Sequence, residues 1–385
     1  MRKKTRKKVA FVLGGGGSRG AYEVGVWQAL QELGVSIDIV TGTSVGGING
    51  AMVALGDVDK TATLWKELET HMVFDVPEGI QPIEYAREIV FNHGAGTSGL
   101  KELLDRYVDE EAVRKSPVEY GLTVVSLPSF EAHYLFKEDI PKGQLVDYIV
   151  AGGSAFPAIH SYEIDGVDYI DGGYADEIPV DMAISKGATH IIAVNLKGLG
   201  KVNHKSINNA PNLILIEPKW DLGMLFIFDT ENTRRILRLG YLDTMKAFNV
   251  IDGGYFAFAR GSFDKTTTRM ADFCGKVFNM DPLILYTKES FLERLTQILE
   301  DSQADLEEAR NRYKDLLSSV VLAKDILMDI KKDIKSVANQ KILTFLIAYN
   351  LKEKGAKSMF LSRTALKLLP EQILAARFLV KYSLI

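Results

Sequence analysis

Cysteine is nearly absent from this chain. Cys274 is the only one in 385 residues, so no internal disulfide and no cysteine-based metal cluster can form within it. A lone thiol fits a reducing compartment, and a cytoplasmic location is expected. Long apolar runs are missing as well. No stretch of about 18 residues is uninterrupted and apolar, so no transmembrane helix is expected. An excess of one charge is also lacking. Lys and Arg number 46 against 50 Asp and Glu, and the formal net charge of −4 is too small to indicate a nucleic-acid partner. Histidine, the commonest catalytic base, is scarce and scattered. His71, His93, His133, His160, His190 and His204 fall in no recognisable motif. His160 is the hardest to dismiss, because it lies between the Ser154-Ala155-Phe156-Pro157 run and Asp171. No internal repeat and no low-complexity tract is evident.

What is present is ordinary for a globular protein with a real core: 46% hydrophobic and 25% charged residues. The length suits one large domain with an extension, or two domains. Residues 1–8 are a basic tail, expected as a solvated lead-in to the first strand or as an attraction to an anionic membrane surface. A signal peptide is not expected, because the apolar run 9–13 is too short and glycines follow it. Residues 9–13, 37–40, 122–127, 133–136, 190–196 and 213–216 read as strands, and helical stretches separate most of them. Residues 21–33 form one such stretch, with Val24, Trp27, Leu30 and Leu33 at helical spacing. The small-residue segment 45–55 forms another. This alternation implies a largely parallel sheet covered by helices on both faces. Residues 70–99 are less regular and read as a lid or rim. Beyond residue 281 glycine and strand signals fade into charged helices, so a boundary is placed at 275–285, between a domain over 9–280 and a helical region over 281–385. Tyr313, Leu316, Val320, Leu327, Ile330, Ile334 and Val337 form an apolar stripe there. With Lys331, Lys332, Lys352, Lys354, Lys357 and Lys367 and the terminal run 378–385, this region reads either as a locally packed bundle or as a peripheral membrane surface.

Two glycine-bearing turns follow the first two strands. Gly14-Gly15-Gly16-Gly17-Ser18-Arg19-Gly20 offers a cluster of backbone N–H groups at the start of a helix, suited to an anion. It also matches the dinucleotide pattern G-x-G-x-x-G, with Asp38 at a plausible distance for a ribose. The Lys-Ser/Thr ending of a P-loop is missing. Gly42-Thr43-Ser44-Val45-Gly46 places a serine on a sharp strand-to-helix turn with small neighbours, the requirement of a nucleophile elbow. Ser18 also sits in a G-x-S-x-G match but lies too far from its strand. An activated serine needs a base. Among carboxylates, Asp171 ends the strand-like run 167–170 and precedes Gly172-Gly173, and Asp252-Gly253-Gly254 is a second Asp-Gly-Gly that follows a helix-like segment.

With these features in order the chain resembles the patatin-like phospholipases. The resemblance rests on residues 15–20, 42–46, 151–157 and 171–173, with support from Ile178-Pro179-Val180 and Gly187-Ala188, and covers about residues 9–197. It implies a three-layer α/β/α sandwich with a largely parallel central sheet, followed here by a C-terminal helical extension. It implies a Ser–Asp dyad that needs no histidine, no metal and no cofactor, and it favours Asp171 over Asp252. By that resemblance Ser44 attacks an ester carbonyl, Asp171 takes its proton, and the N–H groups of Gly15, Gly16 and Gly17 hold the oxyanion. Arg19, Gly20, Gly42, Gly46, Gly172 and Gly173 support them, Arg19 by holding the glycine loop. The activity implied is hydrolysis of phospholipid or lysophospholipid esters, with lipid as the only implied partner. An ordinary Asp is a weak base at pH 7, so burial is expected to raise the carboxyl of Asp171. Gly14 departs from the family, where an acidic residue often precedes the loop, and Asp-Gly-Gly stands where others have Asp-Gly-Ala. A nucleotide-binding oxidoreductase and a non-catalytic scaffold are the alternatives.

Overall fold

The computed structural model describes residues 7–76, 78–81, 84–85, 94–312 and 337–385. These form two compact units, Met1–Ala247 and Phe248–Ile385.

The first unit is built on β1 (Val9–Leu13), β2 (Ile39–Thr43), β3 (Glu119–Ser126), β4 (Glu131–Phe136), β5 (Tyr162–Ile164), β6 (Val167–Asp171), β7 (His190–Val194) and β8 (Leu213–Ile216). They hydrogen-bond in the order β5-β6-β3-β2-β1-β7-β8, with β4 also paired to β3. The centre from β3 to β8 is parallel; β4, β5 and β6 join antiparallel. The helices are α1 (Ala21–Glu32), α2 (Val45–Leu55), α3 (Val58–Glu67), α4 (Thr70–Val73), α5 (Ser98–Tyr107), α6 (Glu110–Lys115), α7 (Leu145–Gly152), α8 (Val180–Ser185), α9 (His204–Asn209) and α10 (Thr230–Ala247). Alternate residues of a strand face opposite sides, and β1 is buried on both. Ala10 and Val12 pack with Val180 and Ala183 of α8 and Ile207 of α9. Small residues of α2 lie against β1, β2 and β3. The result is the expected helix–sheet–helix sandwich. Helices α1 and α10 cross closely because a side chain at Gly25 would strike the Leu237 carbonyl, and one at Gly240 the Tyr22 carbonyl.

One register detail positions the site. Strand β2 pairs along β3 until Thr43 lies opposite Thr123. Strand β6 then occupies the same edge of β3 from the other direction, with Asp171 opposite Val124. The two strands therefore meet end to end, and Ser44 and Asp171 sit at the junction.

The second unit holds β9 (Ala257–Phe258) paired with β10 (Leu285–Tyr286), and helices α11 (Lys265–Val277), α12 (Lys288–Asp301), α13 (Gln303–Arg312), α14 (Val337–Lys354), α15 (Arg363–Leu368) and α16 (Pro370–Lys381). Its core is aromatic. Phe258 and Phe263 pack edge-on against Phe291, and Phe263 and Phe291 against Phe378, at centroid distances of 5.2–6.1 Å. These contacts join residues on both sides of position 281 within the unit that begins at Phe248. The apolar run near the C-terminus turns inward: Phe378 and Leu379 are fully buried. Val337 begins α14; the other residues of the stripe lie outside the described residues, as do Lys331, Lys332 and residues 1–6 of the basic tail. Among the described residues no helix is long and apolar enough to cross a membrane.

Candidate active site

Ser44 stands between β2 and α2 with φ 55° and ψ −129°. A non-glycine residue there is strained, and such strain concentrates at functional turns. The turn closes only around glycine: a Cβ at Gly42 would lie 2.1 Å from the Gly46 carbonyl oxygen, and one at Gly46 2.5 Å from that of Leu13. The serine hydroxyl lies close enough to the Asp171 carboxylate to favour its ionised form. Asp171 is 7% exposed, accepts the Gly173 N–H at 2.7 Å, and donates its own N–H to the Ser154 carbonyl at 2.9 Å. The Ala151–Pro157 segment thus fixes the end of β6. Gly172 lies against β3, where a side chain would meet the Thr123 carbonyl at 2.4 Å. Burial raises the Asp171 carboxyl to about 6, against the opposing pull of the Ser44 hydroxyl and the Gly173 N–H.

The glycine loop between β1 and α1 faces this pair. Ser18 donates its hydroxyl to the Met224 carbonyl at 2.7 Å and its N–H to that of Leu225, so it is a structural residue. Arg19 grips neighbouring loops: Nε and Nη2 donate to the Gly223 carbonyl at 2.9 and 2.7 Å, and Nη1 to that of Lys197 at 3.0 Å. Gly20 lets α1 approach α2, since a side chain there would strike Val45. Gly16 and Gly17 line the cavity with their N–H groups uncommitted among the described residues. Gly15 does not match its expected role. Its N–H donates to the Glu177 carbonyl at 3.2 Å and is already used by the fold. That leaves Gly16 and Gly17 as the available pair.

Two cavities meet at Ser44. One, about 520 Å³, is open and lined by Gly15–Gly17, Ser44, Asp171, Glu177 and Lys201, with Phe156, Tyr174 and Leu199 at its apolar rim. Leu199 is 84% exposed. The other is a narrow slot of about 80 Å³ whose walls include Met52, Trp65, Phe74, Leu103 and Phe228. Gly17, Ser44 and Phe226 border both.

The competing residues fall elsewhere. Asp38 precedes β2 and accepts the Val9 N–H at 2.8 Å, at the opposite end of the strands from the glycine loop, so it cannot hold a ribose there. Asp252 bonds the Gly261 N–H within the second unit. None of the described histidines lines either cavity. His133 bonds Ser126 and His190 bonds Thr189; His93 lies outside the described residues. Among the described residues no cluster of three His, Cys, Asp or Glu side chains is placed to hold a metal ion. The sequence reading missed Glu177, the loop carrying Gly198 and Gly200, and the apolar slot. The one available signal for Glu177 was an acidic pair, Asp176-Glu177, inserted directly before the apolar Ile178-Pro179-Val180.

Burial also raises Asp176 to about 6 and Glu177 to about 8. Each folded-state value lies above that of the unfolded chain. The stability linked to these groups is therefore complete below the unfolded-chain values and is lost as pH rises through 6 and then 8. Tm is expected to be higher at pH 5.5 than at pH 8.5 in scanning calorimetry; the reverse order would contradict these assignments.

Residues 11–184 match the family model described as patatin-like phospholipase. The patatin-like phospholipase domain-containing protein 7 of Rattus norvegicus is 30% identical over 200 residues, covering 50% of this chain and 14% of that protein. The lysophospholipase NTE1 of Scheffersomyces stipitis is 28% identical over 208 residues, covering 50% of this chain and 12% of that protein. The chain thus spans about one seventh of the length of these curated relatives. Among solved structures, VipD from Legionella pneumophila aligns with a TM-score of 0.42 at 13% identity, covering 98% of this chain and 92% of that one.

Proposed function

We propose that this chain is a metal-independent serine hydrolase that cleaves fatty acyl esters of lipids, a reading supported by the match of residues 11–184 to the patatin-like phospholipase family model. The observation that carries the reading is the meeting of the two cavities at a strained serine beside a buried carboxylate. A narrow apolar slot suits an aliphatic chain, and an open, partly polar cavity suits the alcohol portion of the ester.

In this reading Ser44 Oγ attacks the ester carbonyl carbon while Asp171 takes the hydroxyl proton. The N–H groups of Gly16 and Gly17 hold the tetrahedral oxyanion. Collapse of the intermediate expels the alcohol, which leaves with the proton held by Asp171. A water then attacks the acyl-Ser44 ester, again with Asp171 as base, and the fatty acid departs. Exposed Phe156, Tyr174 and Leu199 around the mouth support access from a lipid surface, where apolar side chains can enter the headgroup boundary. Phospholipids and lysophospholipids are the proposed substrates.

The test is direct. Full-length protein mixed with lysophospholipid micelles or diacyl phospholipid vesicles should release free fatty acid, measured by mass spectrometry. No acyl release from either lipid and none from a short-chain ester would count against the reading. The slot makes a narrower prediction. Leu103→Trp would fill much of it, so kcat/KM for long-chain esters should fall by about tenfold or more relative to a two-carbon ester, a loss comparable to one or two apolar contacts. An unchanged chain-length profile would mean the acyl chain lies elsewhere.

A further inference from the structure

The carboxyl of Glu177 lies in the same cavity as Ser44 and Asp171, and the steps above make no use of it. Glu177 is only 3% exposed. Its backbone is a tie point: the N–H donates to the Lys201 carbonyl at 2.8 Å, and the carbonyl holds the Gly15 N–H. Its carboxyl fits because four surrounding positions are glycine. A Cβ at Gly198 or Gly200 would lie 1.9 Å from one of its oxygens, and a Cβ at Gly15 or Gly173 would lie 2.9 Å away. The group is therefore wedged between the oxyanion loop and the turn that follows the base. The Gly200 backbone N–H lies near enough to favour the charged carboxylate, yet Oε1 has no hydrogen-bond partner. A buried polar atom without a partner is costly, and the residue that carries it lines the cavity where substrate would sit.

The electrostatics favour the neutral form. Asp171 and Asp176 add negative charge beside Glu177, while burial holds the carboxyl of nearby Glu23 well above the usual range and so toward its neutral form. Lys201 lines the same cavity and acts on Asp176 with the opposite sign. Burial, followed by the charge of Asp171, pushes the Glu177 carboxyl up to about 8. Asp171 ionises first, so at neutral pH one carboxyl of the pair is a base and the other an acid.

We propose that Glu177 is a second acidic residue of the site, active as a neutral carboxylic acid whose O–H donates to an oxygen of the bound ester, and that its ionisation turns the site off. The inference rests on the Ser44–Asp171 reading above. As an acid, Glu177 adds a donor beside those of Gly16 and Gly17. As an anion it turns lone pairs toward the developing oxyanion and toward ionised Asp171, which opposes charge build-up in the transition state.

The experiment is the pH dependence of short-chain ester hydrolysis and of fluorophosphonate labelling, in the full-length protein and in Glu177→Gln. The unmodified protein should lose about tenfold in rate between pH 7 and pH 9, as expected for one essential proton held near 8. Glu177→Gln keeps a donor but cannot ionise, so its rate should stay level from pH 7 to pH 9, whatever its value at pH 7. The proposal is overturned by an unmodified protein that is level through pH 9, by the same alkaline fall in Glu177→Gln, or by a folded Glu177→Gln inactive at every pH. Should that variant fail to fold, the profile of the unmodified protein still decides. Turnover that survives in Ser44→Ala would instead mean that the site itself is misread.

Discussion

Ser44→Ala is expected to lower ester turnover by about 10³-fold or more, the usual scale for removing a catalytic nucleophile, with the fold retained. The substitution deletes one oxygen and leaves the elbow intact, because both flanking glycines and the hydrogen bonds from Gly47 and Ile48 to the residue 44 carbonyl remain. Alanine stays strained at φ 55° as serine does. Ser44→Gly separates function from stability more sharply. Glycine adopts this backbone conformation freely, so that variant should be equally inactive and more stable by about 1 kcal/mol in urea unfolding. Equal or lower stability of the glycine variant would mean that the elbow is not strained. The hydroxyl also holds Asp171 in its ionised form, so both variants should raise that carboxyl further.

Asp171→Asn is the second large effect. The amide keeps the size of the side chain and can still accept the Gly173 N–H, but it cannot take a proton from Ser44. A loss of about 10³-fold in kcat is expected, on the scale of removing a general base from an acyl-transfer site. The unmodified enzyme carries the matching signature. Its base works only when ionised, and burial holds the carboxyl near 6, so the rate should fall about tenfold from pH 7 to pH 5. An acid limb that persists in the residual activity of Asp171→Asn would assign it to another group.

Much of this site was legible in the sequence because each part has a local cause. A short apolar run ended by glycine gave β1 at Val9–Leu13, and the small-residue segment gave α2 at Val45–Leu55. Ser44 stood out because only a tight turn needs small residues on both sides. The pairing of Ser44 with Asp171 is not local. It depends on β6 entering the edge of β3 where β2 stops, a register that nothing near Asp171 encodes. The committed N–H of Gly15 and the wedge around Glu177 are hidden for the same reason, since their partners lie far along the chain. The boundary read at 275–285 follows a change of charge and glycine content near 281, whereas the second compact unit begins at Phe248 and is held by Phe258, Phe263, Phe291 and Phe378. Composition follows the surface of that unit; its extent follows the aromatic core.

The most direct measurement is to label the full-length protein with a fluorophosphonate, digest it and identify the modified residue by mass spectrometry. A single adduct on Ser44, abolished in Ser44→Ala and strongly slowed in Asp171→Asn, is the predicted result. An adduct on any other residue, or labelling that persists in Ser44→Ala, would contradict the assignment of the nucleophile and with it the proposed reaction.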